Sequence, residues 1–231
     1  MKDTYLGVIV ARKGSKGIKI KNYLLIDKKK NKRLIDYTFS VATNAKSLDA
    51  IVLTTNDKSI IRRSNLYNLT MVIKRSEKLS GDSIKTVDVV IDAVNKFKKN
   101  FFLPNNIVLL QPTSPLRKTK HIEESIKMFK KNKKKFNSLV SVTEYEGVHP
   151  LKLKKISKNK IVPFVRGSDS ELPRQKLKKL YFLNGLVYII KTKNLLKNKT
   201  FFDNCFPYFV SKKFSLNLDS IEDLRQLKQK I

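Results

Sequence analysis

Short runs of Val, Ile and Leu alternate along this chain with longer stretches whose apolar residues recur every three or four positions. That alternation constrains the fold more than any other feature. The short runs, at residues 6–11, 51–55, 71–73, 107–110, 138–143, 186–190 and 215–218, are in several cases nearly continuous in apolar residues, as strands covered on both faces are. The longer stretches, at 34–45, 58–66, 86–98, 122–131 and 221–230, have helical spacing, and Ser220 followed by Asp223 matches an N-terminal capping pattern. The expected fold is α/β, with a doubly wound, mostly parallel sheet. Residues 144–180 break the alternation, because Pro150, Pro163 and Pro173 interrupt short apolar pairs and no long helix fits. We therefore expect one main unit, residues 1–143 with 181–231, and an extended insertion at 144–180 that forms an arm or lid.

A chain of 231 residues suffices for one large domain with a full core. No apolar run approaches the roughly 20 residues of a membrane span, so a soluble protein is expected. Arg12 and Lys13 directly follow the first apolar run where a signal peptide would carry a small-residue cleavage site, so that run reads as a strand. Cys205, the single cysteine, can form no disulfide within the chain, and cytoplasm is the default compartment.

Fifty Lys and Arg against nineteen Asp and Glu give a formal charge of +31, a field that attracts nucleotides, acidic sugars, nucleic acid or an anionic membrane alike. Lys28-Lys29-Lys30 and the lysines of 130–135 could form a nucleic-acid stripe. They are mixed with asparagines and lack interleaved aromatics, which favours a solvated face over a nucleic-acid partner.

The first strand runs into Val10-Ala-Arg-Lys-Gly-Ser-Lys-Gly-Ile-Lys-Ile-Lys-Asn22, a turn with two glycines and five cations. Backbone N–H groups at Gly14 and Gly17 can approach an anion with no Cβ in the way, while Arg12, Lys16 and Lys21 supply charge-assisted hydrogen bonds. The glycine spacing fits neither the Walker A loop nor the dinucleotide fingerprint. Gln111-Pro-Thr-Ser-Pro-Leu-Arg117 follows another strand directly, and its prolines fix a turn that offers Gln111, Thr113 and Ser114 to a ligand. Alone it is equally a stiff strand–helix connection. In a doubly wound sheet both loops fall beyond the carboxyl ends of strands and can share one crevice.

Six segments, in order, resemble the CMP-sialic acid synthetase (acylneuraminate cytidylyltransferase) family over nearly the whole chain. They are Ala11-Arg-x-Gly-Ser-Lys-Gly-x-x-x-Lys-Asn22, Leu110-Gln-Pro-Thr-Ser-Pro-Leu-Arg117, His149-Pro-Leu-Lys152, Pro173-Arg-Gln175, Asn184-Gly-x-x-Tyr188 and Asn217-Leu-Asp-Ser-x-Glu-Asp223. The resemblance implies a nucleotide-diphospho-sugar transferase-like fold, CTP, Mg²⁺, an acidic nine-carbon keto-sugar and, commonly, a homodimer formed through the inserted arm. On the nucleotide side it points to Ala11, Arg12, Gly14, Ser15, Lys16, Gly17, Lys21, Asn22, Arg75, Ser80, Gly81 and Asp82. Within that set Asn22 would hold the ribose and Arg75 the cytosine. For the sugar it points to Gln111, Lys152, Arg174 and Tyr188. Phe201 and Phe202 match aromatics that the family presents from the partner subunit, though core positions are an equal alternative. Arg12, Lys21 and Asp219 would carry the catalysis, with Asp219 and, weakly, Asn217 on the metal. His121 and His149 lack neighbours at metal-ligand spacing and read as structural.

Two departures from the family pattern stand out. Asn217 occupies the first position of a usual Asp-x-Asp pair, so a neutral oxygen replaces a charged one and metal affinity should fall. Phe182 stands where sialic-acid enzymes often carry an arginine near the N-acyl group. A legionaminic or other sialic-like bacterial sugar is therefore nearly as well supported as N-acetylneuraminate. A KDO-type sugar, a basic nucleic-acid-binding protein and an inactive family member are the remaining alternatives.

Overall fold

The computed structural model describes residues 3–14, 17–167 and 171–231, with the side chain of Arg174 also outside the description. Its elements run β1 (Tyr5–Val10), a small hairpin of β2 (Leu25–Asp27) and β3 (Lys32–Arg33), α1 (Leu34–Thr43), β4 (Ala50–Thr55), α2 (Lys58–Ser64) and β5 (Met71–Lys74). There follow α3 (Thr86–Asn100), β6 (Asn106–Leu110), α4 (Thr119–Asn132), β7 (Ser138–Tyr145), β8 (Lys154–Ser157), β9 (Lys160–Pro163), β10 (Leu180–Lys191), α5 (Thr192–Asn198), β11 (Cys205–Phe209) and α6 (Ile221–Lys228).

The seven-stranded sheet has the order β11-β7-β10-β6-β1-β4-β5. β1 is parallel to β4 and β6, β5 to β4, and β11 to β7, whereas β10 runs antiparallel between β6 and β7. The pleat sends alternate side chains of β1 to opposite faces. Tyr5 and Ile9 pack with Ile35, Phe39, Ile60, Ile126 and Phe129 from α1, α2 and α4. Leu6 and Val8 pack on the other face with Val90, Val94, Phe97 and Leu195 from α3 and α5. Each such buried side chain contributes about 1.5–3 kcal/mol, which is why both faces must be covered. The expected mostly parallel, doubly wound architecture is the one observed. No helix among the described residues is long and apolar enough to cross a membrane.

One expected strand is absent, and one strand of the main sheet was not expected. Residues 215–218 form no ladder; Leu218 N–H instead donates to the Thr113 carbonyl at 2.7 Å, and Leu216 and Leu218 enter a third cluster with Ile26, Leu34, Leu116 and Leu227. β11 lies in a stretch the alternation did not flag, because Pro207 argues against a strand; it sits at the sheet edge, where a missing N–H is tolerated. Within the insertion, β7 and β10 continue pairing out to Tyr145 and Leu180, and β8 and β9 form a separate hairpin. The expected cap on α6 is present: Asp223 N–H donates to Ser220 Oγ at 3.2 Å, and Asp223 accepts from Ser220 N–H at 2.7 Å.

His121 is structural, as expected. It is buried, its Nδ1 accepts from Lys118 N–H at 3.1 Å, and its ring meets Phe214 edge-on. Burial pushes its pKa down from 6.5 to about 4, with Lys120, Arg117 and Lys118 reinforcing the shift and Glu124 opposing it. The unfolded chain therefore binds the extra proton first, so this contribution to stability is complete above pH 6.5 and is lost as pH falls toward 4. The Tm decrease between pH 7 and pH 5 should shrink in His121→Gln, and an equal decrease would contradict the assignment.

Candidate active site

The parallel strands β1, β4, β5 and β6 deliver their carboxyl ends to one edge of the sheet, where a doubly wound fold places its ligand. Arg12 lies two residues beyond β1, Arg75 immediately beyond β5 and Gln111 immediately beyond β6. The β1 loop is fixed from several sides. Lys13 N–H donates to Asn56 Oδ1 at 2.7 Å, and Asn22 Nδ2 donates to the Arg12 carbonyl at 3.1 Å, tying the start of the loop to its end. Gly14 has φ +81°, in the left-handed region. At Gly17 a Cβ would collide with the Asp219 carbonyl, so glycine lets this loop lie against the 217–219 segment. Gly17→Ala should cost about 1–3 kcal/mol through that overlap. A matching loss of unfolding free energy in urea would support the packing, and an unchanged transition would contradict it.

A cavity of about 200 Å³ opens at this edge, bordered by Arg12, Gly14, Lys21, Asn22, Arg75 and Gly81, with Asp82, Thr86, Gln111 and Thr113 completing its polar wall. Arg12 pairs with Asp82 at 2.5 Å, and Lys21 Nζ with Asp219 Oδ1 at 2.8 Å. The Arg75 guanidinium is buried and donates to the Thr54 carbonyl at 2.7 Å and to Thr54 Oγ1 at 3.3 Å. Burial, with neighbouring Arg12, lowers its pKa to about 10, so it remains a cation at neutral pH. A second cavity, about 540 Å³, is bordered by Lys85, Thr86, Gln111, Tyr188, Lys199, Phe201 and Phe202. Thr86 and Gln111 border both cavities, so the two spaces adjoin.

Most of the expected site residues thus converge. Arg12, Gly14, Lys21, Asn22, Arg75, Gly81 and Asp82 meet at the first cavity, and Gln111, Tyr188, Phe201 and Phe202 at the second. Phe201 is buried and Phe202 exposed; their ring centroids lie 6.1 and 6.2 Å from that of Tyr188, so both border their own chain's crevice. Ala11 is a core residue whose N–H is spent on the Thr54 carbonyl. Ser80 is buried, and its hydroxyl donates to the Ser76 carbonyl. Neither is a cavity residue. Lys152 is exposed on the insertion and borders neither cavity. Ser15, Lys16 and the Arg174 side chain lie outside the described residues. Asn217 turns its amide nitrogen to Asp219 Oδ2, so it supports that carboxylate as a donor.

Several residues in and around the cavities were not anticipated. Asn56 could have been sought in the polar step that ends its strand, and Thr86 in the first turn of its helix. Lys85 and Lys199 carry no signal that separates them from the other lysines of so basic a chain.

This fold, with a cationic loop after the first strand and adjoining crevices at the carboxyl edge, is shared with solved synthetases and synthases. CMP:2-keto-3-deoxy-manno-octonic acid synthetase, solved with CTP, superposes with a TM-score of 0.70 at 15% identity and 98% coverage of both chains. A 4-diphosphocytidyl-2C-methyl-D-erythritol synthase superposes at 0.66, with 12% identity and coverage of 100% of this chain and 99% of that one. The model of the cytidylyltransferase family matches residues 6–230, and the chain belongs to that family. It is 31% identical over 94% of its length to an N-acylneuraminate cytidylyltransferase of Streptococcus agalactiae, of which it spans 50%. It is 32% identical over 85% of its length to the CMP-N,N'-diacetyllegionaminic acid synthase of Legionella pneumophila, covering 82% of that protein. Identity to a pseudaminic acid cytidylyltransferase of Campylobacter jejuni is 28%, over 95% of this chain and 92% of that one.

Proposed function

We propose that this chain transfers CMP from CTP to an acylated nonulosonic acid, giving the CMP-sugar and pyrophosphate. The observation that carries the proposal is the junction at Gln111 and Thr86, where a cavity rimmed by Arg12, Lys21 and Arg75 adjoins one walled by Tyr188, Phe201 and Phe202. The first suits a triphosphate and its base. The second joins aromatic surface to the cations Lys85 and Lys199, which suits a carboxylated sugar with apolar acyl groups. The names of the N-acylneuraminate, legionaminic and pseudaminic relatives support the sugar class.

In this reaction the sugar's anomeric hydroxyl oxygen bonds to the α-phosphorus and loses its proton, while the bond to the pyrophosphate oxygen breaks. Negative charge spreads over the phosphates, so the residues must meet it with fixed cations. Lys21 and Arg12 border the first cavity and are held by Asp219 and Asp82 before substrate arrives. Arg75, clamped on Thr54, provides a preorganised donor for the base side. Asn22 would hold the ribose, and its amide is already ordered by the Arg12 carbonyl.

The Asp219 side chain is 61% exposed and stands beside Lys21, so its oxygens can serve a hard cation that takes its remaining ligands from water and phosphate. Mg²⁺ fits this donor set: Asp219 would hold it, with Asn217 orienting the carboxylate, and it would supply charge neutralisation on the phosphates.

The acting form in this proposal is a homodimer. The insertion exposes Leu153, Ile156, Ile161 and Phe164, apolar surface that a second copy would cover. Lys152, distant in role from its own chain's cavities, would then serve the neighbour's sugar together with Arg174. A single unpaired cysteine, Cys205, suits a reducing cytoplasm. The experiment is a panel of CTP and UTP against N-acetylneuraminic, legionaminic, pseudaminic and KDO-type acids with Mg²⁺, read by pyrophosphate release. Turnover with CTP and a nonulosonic acid is expected; turnover only with KDO or UTP would redirect the assignment.

A further inference from the structure

Arg117 ends the proline-stiffened segment after β6, yet it borders neither cavity. It is the largest fully buried side chain among the described residues. Its Nε donates to the Leu186 carbonyl at 2.6 Å, one terminal nitrogen donates to the Gln111 carbonyl and the other to Thr38 Oγ1 at 3.2 Å. No carboxylate pairs with it among the described residues. Burying a guanidinium against neutral acceptors alone carries a desolvation cost that an apolar side chain of similar size would avoid. What the cost secures is geometry.

Both carbonyls belong to the acceptor side of the crevice. Gln111 borders both cavities, and Leu186 follows Gly185, whose φ is +73°. A Cβ on Gly185 would lie 2.8 Å from Gln111 Oε1 and 3.2 Å from Ser114 Oγ, so the Gln111 side chain rests against this bare backbone. The pairing of β10 with β7 shifts register between Leu183 and Tyr188, and Asn184 stitches the irregular stretch. Its Oδ1 accepts from Ser141 Oγ at 2.5 Å and from Leu186 N–H at 3.1 Å, while its Nδ2 donates to Thr143 Oγ1 at 2.9 Å. Arg117 fastens the Gln111 turn to this stitched bulge, from which Tyr188 emerges into the second cavity.

We propose that Arg117 is a positioning residue for the acceptor sugar: by holding the carbonyls of Gln111 and Leu186 together it fixes the Gln111 side chain against that substrate. It acts through Gln111 and has no part in holding the triphosphate. The role rests on the functional assignment made above. Arg117→Lys keeps the charge, but its single nitrogen cannot span acceptors that the guanidinium reaches from three separate nitrogens.

In the full chain, with CTP and the nonulosonic acid that the wild type uses, Arg117→Lys should leave the CTP Kd by calorimetry within about threefold and lower kcat/KM for the sugar about 30-fold or more. In a Gln111→Ala background the same change should cost less than about threefold further, because the two act as one unit. Equal losses for CTP and sugar, or a full loss repeated in the Gln111→Ala background, would overturn the role. Should Arg117→Lys fail to fold, Thr38→Val, which removes only one acceptor, should produce a smaller loss confined to the sugar; a loss shared with CTP, or none, overturns the proposal. The wild-type control keeps the two claims apart: no wild-type turnover defeats the functional assignment, whereas normal turnover by Arg117→Lys defeats only the positioning role.

Discussion

Lys21→Ala should lower kcat/KM for CTP by about 10²–10³-fold, the usual cost of deleting one preorganised donor aimed at developing charge. Its side chain is only 12% exposed, lies on the cavity wall and is held 2.8 Å from Asp219 before any substrate binds. Little reorganisation is then required when phosphate charge develops. Asn217, a neutral residue two positions before Asp219, brings no second negative charge beside the nucleotide, so in this account the loop's cations carry a larger share of the stabilisation. Lys21→Arg, which keeps the charge, should recover part of the loss. Steady-state kinetics on both variants decide the matter, and near-normal turnover by Lys21→Ala would refute the role.

Asp219→Ala should remove at least about 10³-fold of turnover and raise the Mg²⁺ concentration needed for half-maximal rate, because one carboxylate is asked to anchor the cation alone. The second readout is independent of catalysis. Deleting a negative charge beside Lys21 should leave CTP binding without added metal no weaker than in the wild type. Undiminished turnover, or weaker metal-free CTP binding, would contradict this account of Asp219.

Much of this architecture was legible in the residues themselves. The runs that became β1, β4 and β6 are buried on both faces, so their apolar residues are continuous and hard to mistake. Residues 215–218 mimic that signal for another reason: Leu216 and Leu218 fill a small cluster beside the Gln111 turn, and burial without a ladder partner looks the same in sequence. Pro207 hid β11, since only the edge position of that strand, a tertiary fact, excuses the missing donor. In the site, Gly14 and Gly17 signalled close approach, but not that Gly17 makes room for the Asp219 backbone instead of only a ligand. Ala11 and Ser80 lie within matching segments, yet Ala11 packs in the core and Ser80 bonds to its own turn, because a motif records a segment and not the direction of each side chain. Arg117 was visible as a letter in a motif; its use depends on β10 arriving antiparallel beside β6 to offer the Leu186 carbonyl.

The central claim is that the sugar hydroxyl attacks the α-phosphorus of CTP across the Gln111 junction, with Lys21 and Arg12 meeting the charge of the departing pyrophosphate. Incubation of the chain with α-³²P-labelled CTP, Mg²⁺ and each acylated nonulosonic acid tests it most directly. The label should appear in a CMP-sugar, with unlabelled pyrophosphate released in equal amount. Absence of a labelled CMP-sugar from every nonulosonic acid, or label found in the pyrophosphate, would contradict it.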